Sequence, residues 1–290
     1  MTTTSTSIES RHSPEPRELA ADTPTSRVLG PGAFLTLVKI TAARQNRGRR
    51  LLVVSALFTL PIVLGALIRR YSESYVPEVG ENLLVFVMIF QALVPITALL
   101  FASGMVQDDI EEQTMTYLLI RPIPRWAIYL AKAAATFLVS FARAVLFTVL
   151  TLAVVHVGTG GDLTDLALKR VPIVLGLLAL ALGAYVAIFG FLSLITRRTL
   201  VIGAIYIVVF EGALAYIDFA FRNATVMYHI RVLSVRWLKI PAGYYAIDPT
   251  TAPAVSTSLI VLGSVTTVVL LLGSWIFSSR EFRLKTPDGV

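Results

Sequence analysis

Hydrophobic residues fall along this chain in long unbroken runs, not in the alternating or one-faced patterns of a soluble fold. Six such runs, near 51–68, 83–106, 133–155, 173–195, 200–217 and 256–277, each approach the ~20 residues that cross a hydrocarbon core. Ahead of them, Phe34, Leu37 and Val38 share one face of a stretch that starts at Pro31, a favoured first helical residue, and ends in Arg44, Arg47, Arg49 and Arg50. This predicts an interfacial helix beside anionic headgroups. Residues 1–30 are rich in Thr, Ser and Pro and hold too little apolar surface to offset the entropy of ordering, so a disordered tail is expected there. Between the fifth and sixth runs, Val226, Ile230, Leu233 and Trp237 fall on one helical face, with Arg231 and Lys239 elsewhere. An outer interfacial or re-entrant helix follows, with Trp237, Tyr244 and Tyr245 at headgroup level. The predicted fold is an all-α polytopic membrane protein in which residues 31–285 form one six-span domain.

Composition removes the soluble alternative. Of 290 residues, 56% are hydrophobic and 15% charged, against about 45–50% and about 25% in an ordinary soluble domain. The net charge of +7 comes from Lys and Arg that flank the apolar runs, which points to lipid headgroups and not to nucleic acid. An even number of spans places both termini on one side. The connections on that side carry 16 Lys and Arg and those on the other side eight, so both termini are expected in the cytoplasm of a cell-membrane protein. The first 30 residues lack the apolar core of a cleavable signal peptide, so insertion is expected to begin at the first span. Without cysteine there is no disulfide, thiol nucleophile or thiolate metal site. His12, His156 and His229 lie far apart in the chain and show no metal-ligand spacing.

The connection between the second and third runs, Gly104 to Lys132, has its charges in a definite order. Asp108, Asp109, Glu111 and Glu112 crowd what would be a helix N-terminus, where the macrodipole favours negative charge. Met115, Leu118 and Leu119 supply an apolar stripe, Arg121 suits the C-terminal end, and Pro122 and Pro124 stop the helix before Arg125–Ala131 leads into the third span. The result is a short, stiff cytoplasmic helix.

At this segment the chain resembles the permeases of ABC type-2 exporters. The matching residues are Gly104, Glu111, Glu112, Thr114, Leu118, Leu119, Pro122, Arg125 and Lys132. The span order and the helix ahead of the first span also resemble that family. The resemblance implies that Asp109, Glu111, Glu112, Thr114, Leu118, Leu119, Arg121, Pro122 and Arg125 belong to a coupling element that docks in a cleft of a separate ABC ATPase subunit. It further implies a permease dimer, with ATP and Mg bound by the partner, and an export direction. The chain itself carries no cofactor motif: Gly158-Thr159-Gly160-Gly161 is followed by Asp162, where a phosphate-binding loop needs Lys and Ser or Thr.

Three residues with charged or amide side chains lie within the spans. Arg143 and Glu211 fall ten and eleven residues into the third and fifth runs, each roughly 15 Å deep, which predicts an ion pair within one subunit or across a dimer; a contact to substrate is the alternative. Gln91 precedes Pro95 by one turn, where the helix either kinks or has a neighbour to satisfy the freed carbonyl. Two other functions compete with the exporter. An intramembrane protease of the E-E-x-x-x-R type fails because Thr116 stands where the Arg is needed. A silent membrane scaffold differs from the exporter in lacking an adjacent ATPase gene. Substrate is not legible: apolar spans suit a lipid, a hydrophobic drug or a peptide equally.

Overall fold

The computed structural model describes residues 31–72, 75–111, 123–158, 164, 166–214, 223, 225–245, 247 and 252–279. The described chain is helical. α1 is Pro31–Gln45 and α2 is Arg49–Tyr71. Three successive stretches, Pro77–Glu81, Asn82–Leu93 and Val94–Glu111, run on as one rod, α3. α4 is Arg125–His156, α5 joins Leu166–Arg170 to Val171–Ile195, and α6 joins Thr199–Tyr206 to Ile207–Leu214. α7 is Val226–Leu238 and α8 is Val255–Ser279. Five of these, α2, α3, α4, α5 and α8, are long and apolar enough to cross a membrane, and Thr199–Gly212 is a shorter apolar helix. The molecule is an all-α polytopic membrane protein.

α5 is the hub. It packs along α3 and α8 most extensively, and also along α4 and α7. Leu177, Leu178, Leu182, Tyr185 and Phe189 are fully enclosed, while Ala181, Ala184 and Gly190 keep the helix surface shallow enough for neighbours to approach. At the other extreme, only 17% of the apolar window of α8 is buried against 61% of that of α3, so α8 turns most of its apolar face outward, as a lipid-facing helix does. α1 lies on α4, with Leu37 and Val38 against a cluster that includes Ile128, Tyr129 and Phe277, so the one-faced pattern read in the sequence meets protein on its apolar side.

Gly273 on α8 is required by a close approach, because a Cβ there would run into the ring of Tyr129 on α4, which is itself fully buried. Gly273→Val is therefore expected to destabilise the bundle by about 1–3 kcal/mol, readable as a lowered thermal midpoint in detergent.

Two expectations change, and a third position gains detail. The helix runs on through Pro95: Asn82–Leu93 is wound as a π-helix, and the Val94 N–H bonds to the Ile89 carbonyl five residues back, so the rod widens ahead of the proline that cannot donate. Helices also extend past the apolar limits, to Pro77 and Glu111 around the second run and back to Arg125 before the third, since backbone hydrogen bonding does not stop where hydrocarbon does. α7, finally, is not a helix with an apolar face and a wet face. Every residue from Val226 to Ser234 is buried, Arg231 included, because α7 is inserted among α5, α6 and α8.

Candidate functional site

The acidic residues Asp108 and Asp109 close the C-terminal end of α3; they do not open a new helix, which corrects the reading of them as an N-terminus. Negative charge opposes the macrodipole at that end, and cations from three other places offset it. Arg44, from the last turn of α1, donates to Asp109 Oδ1 at 2.6 Å. Lys132 of α4 pairs with the other oxygen, Oδ2, and donates to the Met105 carbonyl at 3.1 Å. Both Asp109 and Lys132 are buried, at 5% and 2% exposure, so this is an ionic knot inside the protein and not a solvated surface pair. Alongside it, Arg50 at the start of α2 grips Asp108 with two parallel bonds of 2.7 and 2.8 Å. That pair is more than a third exposed and is worth at most about 1 kcal/mol. Gly104 makes room for it, since a Cβ there would strike the Arg50 guanidinium.

Further bonds tie the same end together. Gln107 donates to the Thr196 carbonyl at 2.5 Å and to Thr199 Oγ1 at 3.0 Å, linking α3 to the turn between α5 and α6. Gln45 donates to Thr136 of α4 at 2.8 Å. Five helices thus converge where the Gly104–Lys132 connection leaves α3 and re-enters α4. Of the coupling residues, Asp109 lies in the knot and Arg125 begins α4. Glu112, Thr114, Leu118, Leu119, Arg121 and Pro122 lie outside the described residues, as does the side chain of Glu111.

Arg143 and Glu211 do not meet within the chain. Arg143 donates to Asn46 Oδ1, between α1 and α2, at 2.7 Å. Glu211 is fully buried and accepts from the Met227 N–H at 2.9 Å, the Val226 N–H at 3.3 Å and the Tyr206 hydroxyl at 2.9 Å. Equal residue counts along two runs fixed neither the direction of the side chains nor their neighbours. Glu211 instead caps α7, whose first N–H groups have no partner within the helix and whose dipole favours an anion. Thr225, just ahead, caps the Tyr228 N–H, more loosely, at 3.4 Å. Glu211→Leu is expected to cost about 1–3 kcal/mol and to expose α7 first to proteolysis, because the amides it satisfies are left buried without a carboxylate. Gln91 is half-buried and engaged by a neighbour, in the π-wound stretch of α3.

At the opposite end of the bundle, Glu81 of α3 holds His156 at the end of α4 (2.8 Å) and Arg170 in α5 (3.1 Å). Tyr75 donates to the Val155 carbonyl at 3.2 Å; burial pushes its phenol up, against the pull of Arg69, so it remains a neutral donor. His229 contacts Ser258 Oγ and the Asn223 carbonyl. Among the described residues no three His, Asp or Glu come together in a metal-binding group. The sequence reading missed Lys132, Arg44 and Arg50 as partners of the acidic pair, and Glu81 with His156 and Arg170. A lysine immediately ahead of the third apolar run was the available signal for the first.

Two comparisons bear on what such a bundle is. No curated protein matches the sequence. The family described as "ABC-2 family transporter protein" matches over residues 35–282, from α1 to beyond the end of α8, so the family's pattern takes in all the helices described above. The chain belongs to the ABC-2 family of membrane transporters.

Proposed function

We propose that this chain is the transmembrane subunit of an ATP-driven exporter, working as a dimer with two separate cassette ATPase subunits that supply ATP and Mg. Six spans are completed by α6, both termini are cytoplasmic and residues 1–26 of the tail are dispensable; the twofold excess of Lys and Arg in the connections on the side of the termini supports this orientation. The connection between α3 and α4 is the coupling element. Glu112, Thr114, Leu118, Leu119 and Pro122 dock on the ATPase, while Asp109 roots the element in the membrane domain.

The observation that carries this reading is the ionic knot. Asp109, Lys132 and Arg44 join α3, α4 and α1 where the connection is anchored, so a push on residues between 111 and 125 is received by three helices at once. A stiff root is what a two-state transporter needs if closure of an ATPase around nucleotide is to bias the whole bundle. The test is co-expression with the cassette ATPase encoded nearest its gene. Co-purification in a fixed ratio, with ATP hydrolysis dependent on this chain, is the expected result. An ATPase that neither associates nor changes its rate would overturn the proposal.

A further inference from the structure

At the end of the bundle away from the ionic knot, a cleft of about 270 Å³ opens between α3, the start of α5 and the chain that follows α7. Its charged lining is Glu78, Glu81, Arg170 and Lys239, and its apolar wall includes Phe86, Leu238 and Tyr244. Glu81 and Arg170 are already paired with each other as an ion pair, 3.1 Å from Nε to Oε1. Glu78 and Lys239 are both exposed, and neither side chain has an ion pair or hydrogen bond among the described residues. Among the described residues, one anion and one cation without a partner therefore share the lining.

Lys239 is also held unusually. It ends α7 at φ 54°, ψ 35°, the only non-glycine residue with positive φ among those described. A left-handed helix stop is the position glycine fills without steric cost, so a lysine there stands against its own backbone preference. Backbone strain of this kind, at a cleft, points to a working side chain. The volume narrows the ligand. It lies just under the ~300 Å³ at which small-molecule pockets begin, enough for a polar headgroup but not for acyl chains. Tyr244 lines it, an aromatic of the kind that sits at headgroup level, and the chains would run out into the bilayer.

We infer that this cleft binds the zwitterionic headgroup of a phospholipid, with Lys239 on the phosphate, Glu78 on the ammonium, and Phe86 and Tyr244 against the glycerol region. The site needs no ATPase, so it stands or falls apart from the coupling reading. The test uses the full chain in non-ionic detergent, titrated calorimetrically with dihexanoyl phosphatidylethanolamine, dihexanoyl phosphatidylglycerol and inorganic phosphate. Saturable phosphatidylethanolamine binding is expected, at least tenfold tighter than phosphatidylglycerol and not displaced by phosphate. Lys239→Gly should weaken it at least tenfold while the melting temperature holds or rises, and Lys239→Asn, also tolerant of the left-handed region, should do the same. Glu78→Gln should narrow the preference for phosphatidylethanolamine. Unaltered binding in Lys239→Gly, displacement by phosphate, or no saturable binding would each overturn the proposal.

Discussion

Lys132→Met is expected to cost the protein about 3–5 kcal/mol, and Asp109→Leu in the same chain to restore most of that loss. Lys132 is buried and bound to Asp109, so removing its ammonium strands a carboxylate at 5% exposure, with only the half-exposed Arg44 left to it. The carboxylate also sits at a helix C-terminus, where the dipole already disfavours it. Removing both charges together leaves two apolar side chains of suitable length in a site lined by Met105, Val106 and Ile128. Denaturation of the purified protein in mixed micelles measures the cycle. Losses that simply add in the double mutant would show that Lys132 and Asp109 act independently, and the knot would not be the brace described above.

What could be read from residues, and what could not, divides along physical lines. The membrane helices were legible because hydrocarbon demands unbroken apolar runs, and each run lies within or largely within a helix of the structure. The face of α1 was legible for a related reason: Leu37 and Val38 are spaced to share a side, and that side is buried on α4. Polar partners were not legible, because an ion pair joins residues far apart in sequence. Asp109 finds Arg44 across 65 positions, and Glu211 finds α7. The placement of Asp108 and Asp109 was misread for a more particular reason. Acid at a helix N-terminus is the favourable local choice, and here tertiary cations override it. Arg231 shows the same limit, since a charge set off the apolar face is buried all the same where α7 is covered from Val226 to Ser234.

The second large effect concerns function. Glu112→Lys with Leu118→Ala should reduce transport and transport-linked ATP hydrolysis together, by tenfold or more, while leaving membrane insertion and the melting temperature close to wild type. The reasoning is that charge reversal repels a basic cleft and the truncation removes an apolar anchor, both at a docking surface where a few side chains carry most of the energy. Neither residue belongs to the knot, so stability should be spared. A variant that keeps coupled hydrolysis at the wild-type rate would remove the connection from the mechanism.

Contact between this connection and the ATPase can be read most directly by site-specific crosslinking. The chain contains no cysteine, so Leu118→Cys provides a single attachment point for a thiol-directed benzophenone without background. Irradiation of the assembled complex is expected to yield one adduct joining this chain to the ATPase, with a yield that changes when ATP is trapped in the closed state. Adducts only to lipid or to a second copy of this chain, at every nucleotide state, would contradict the assignment of the α3–α4 connection as the coupling element.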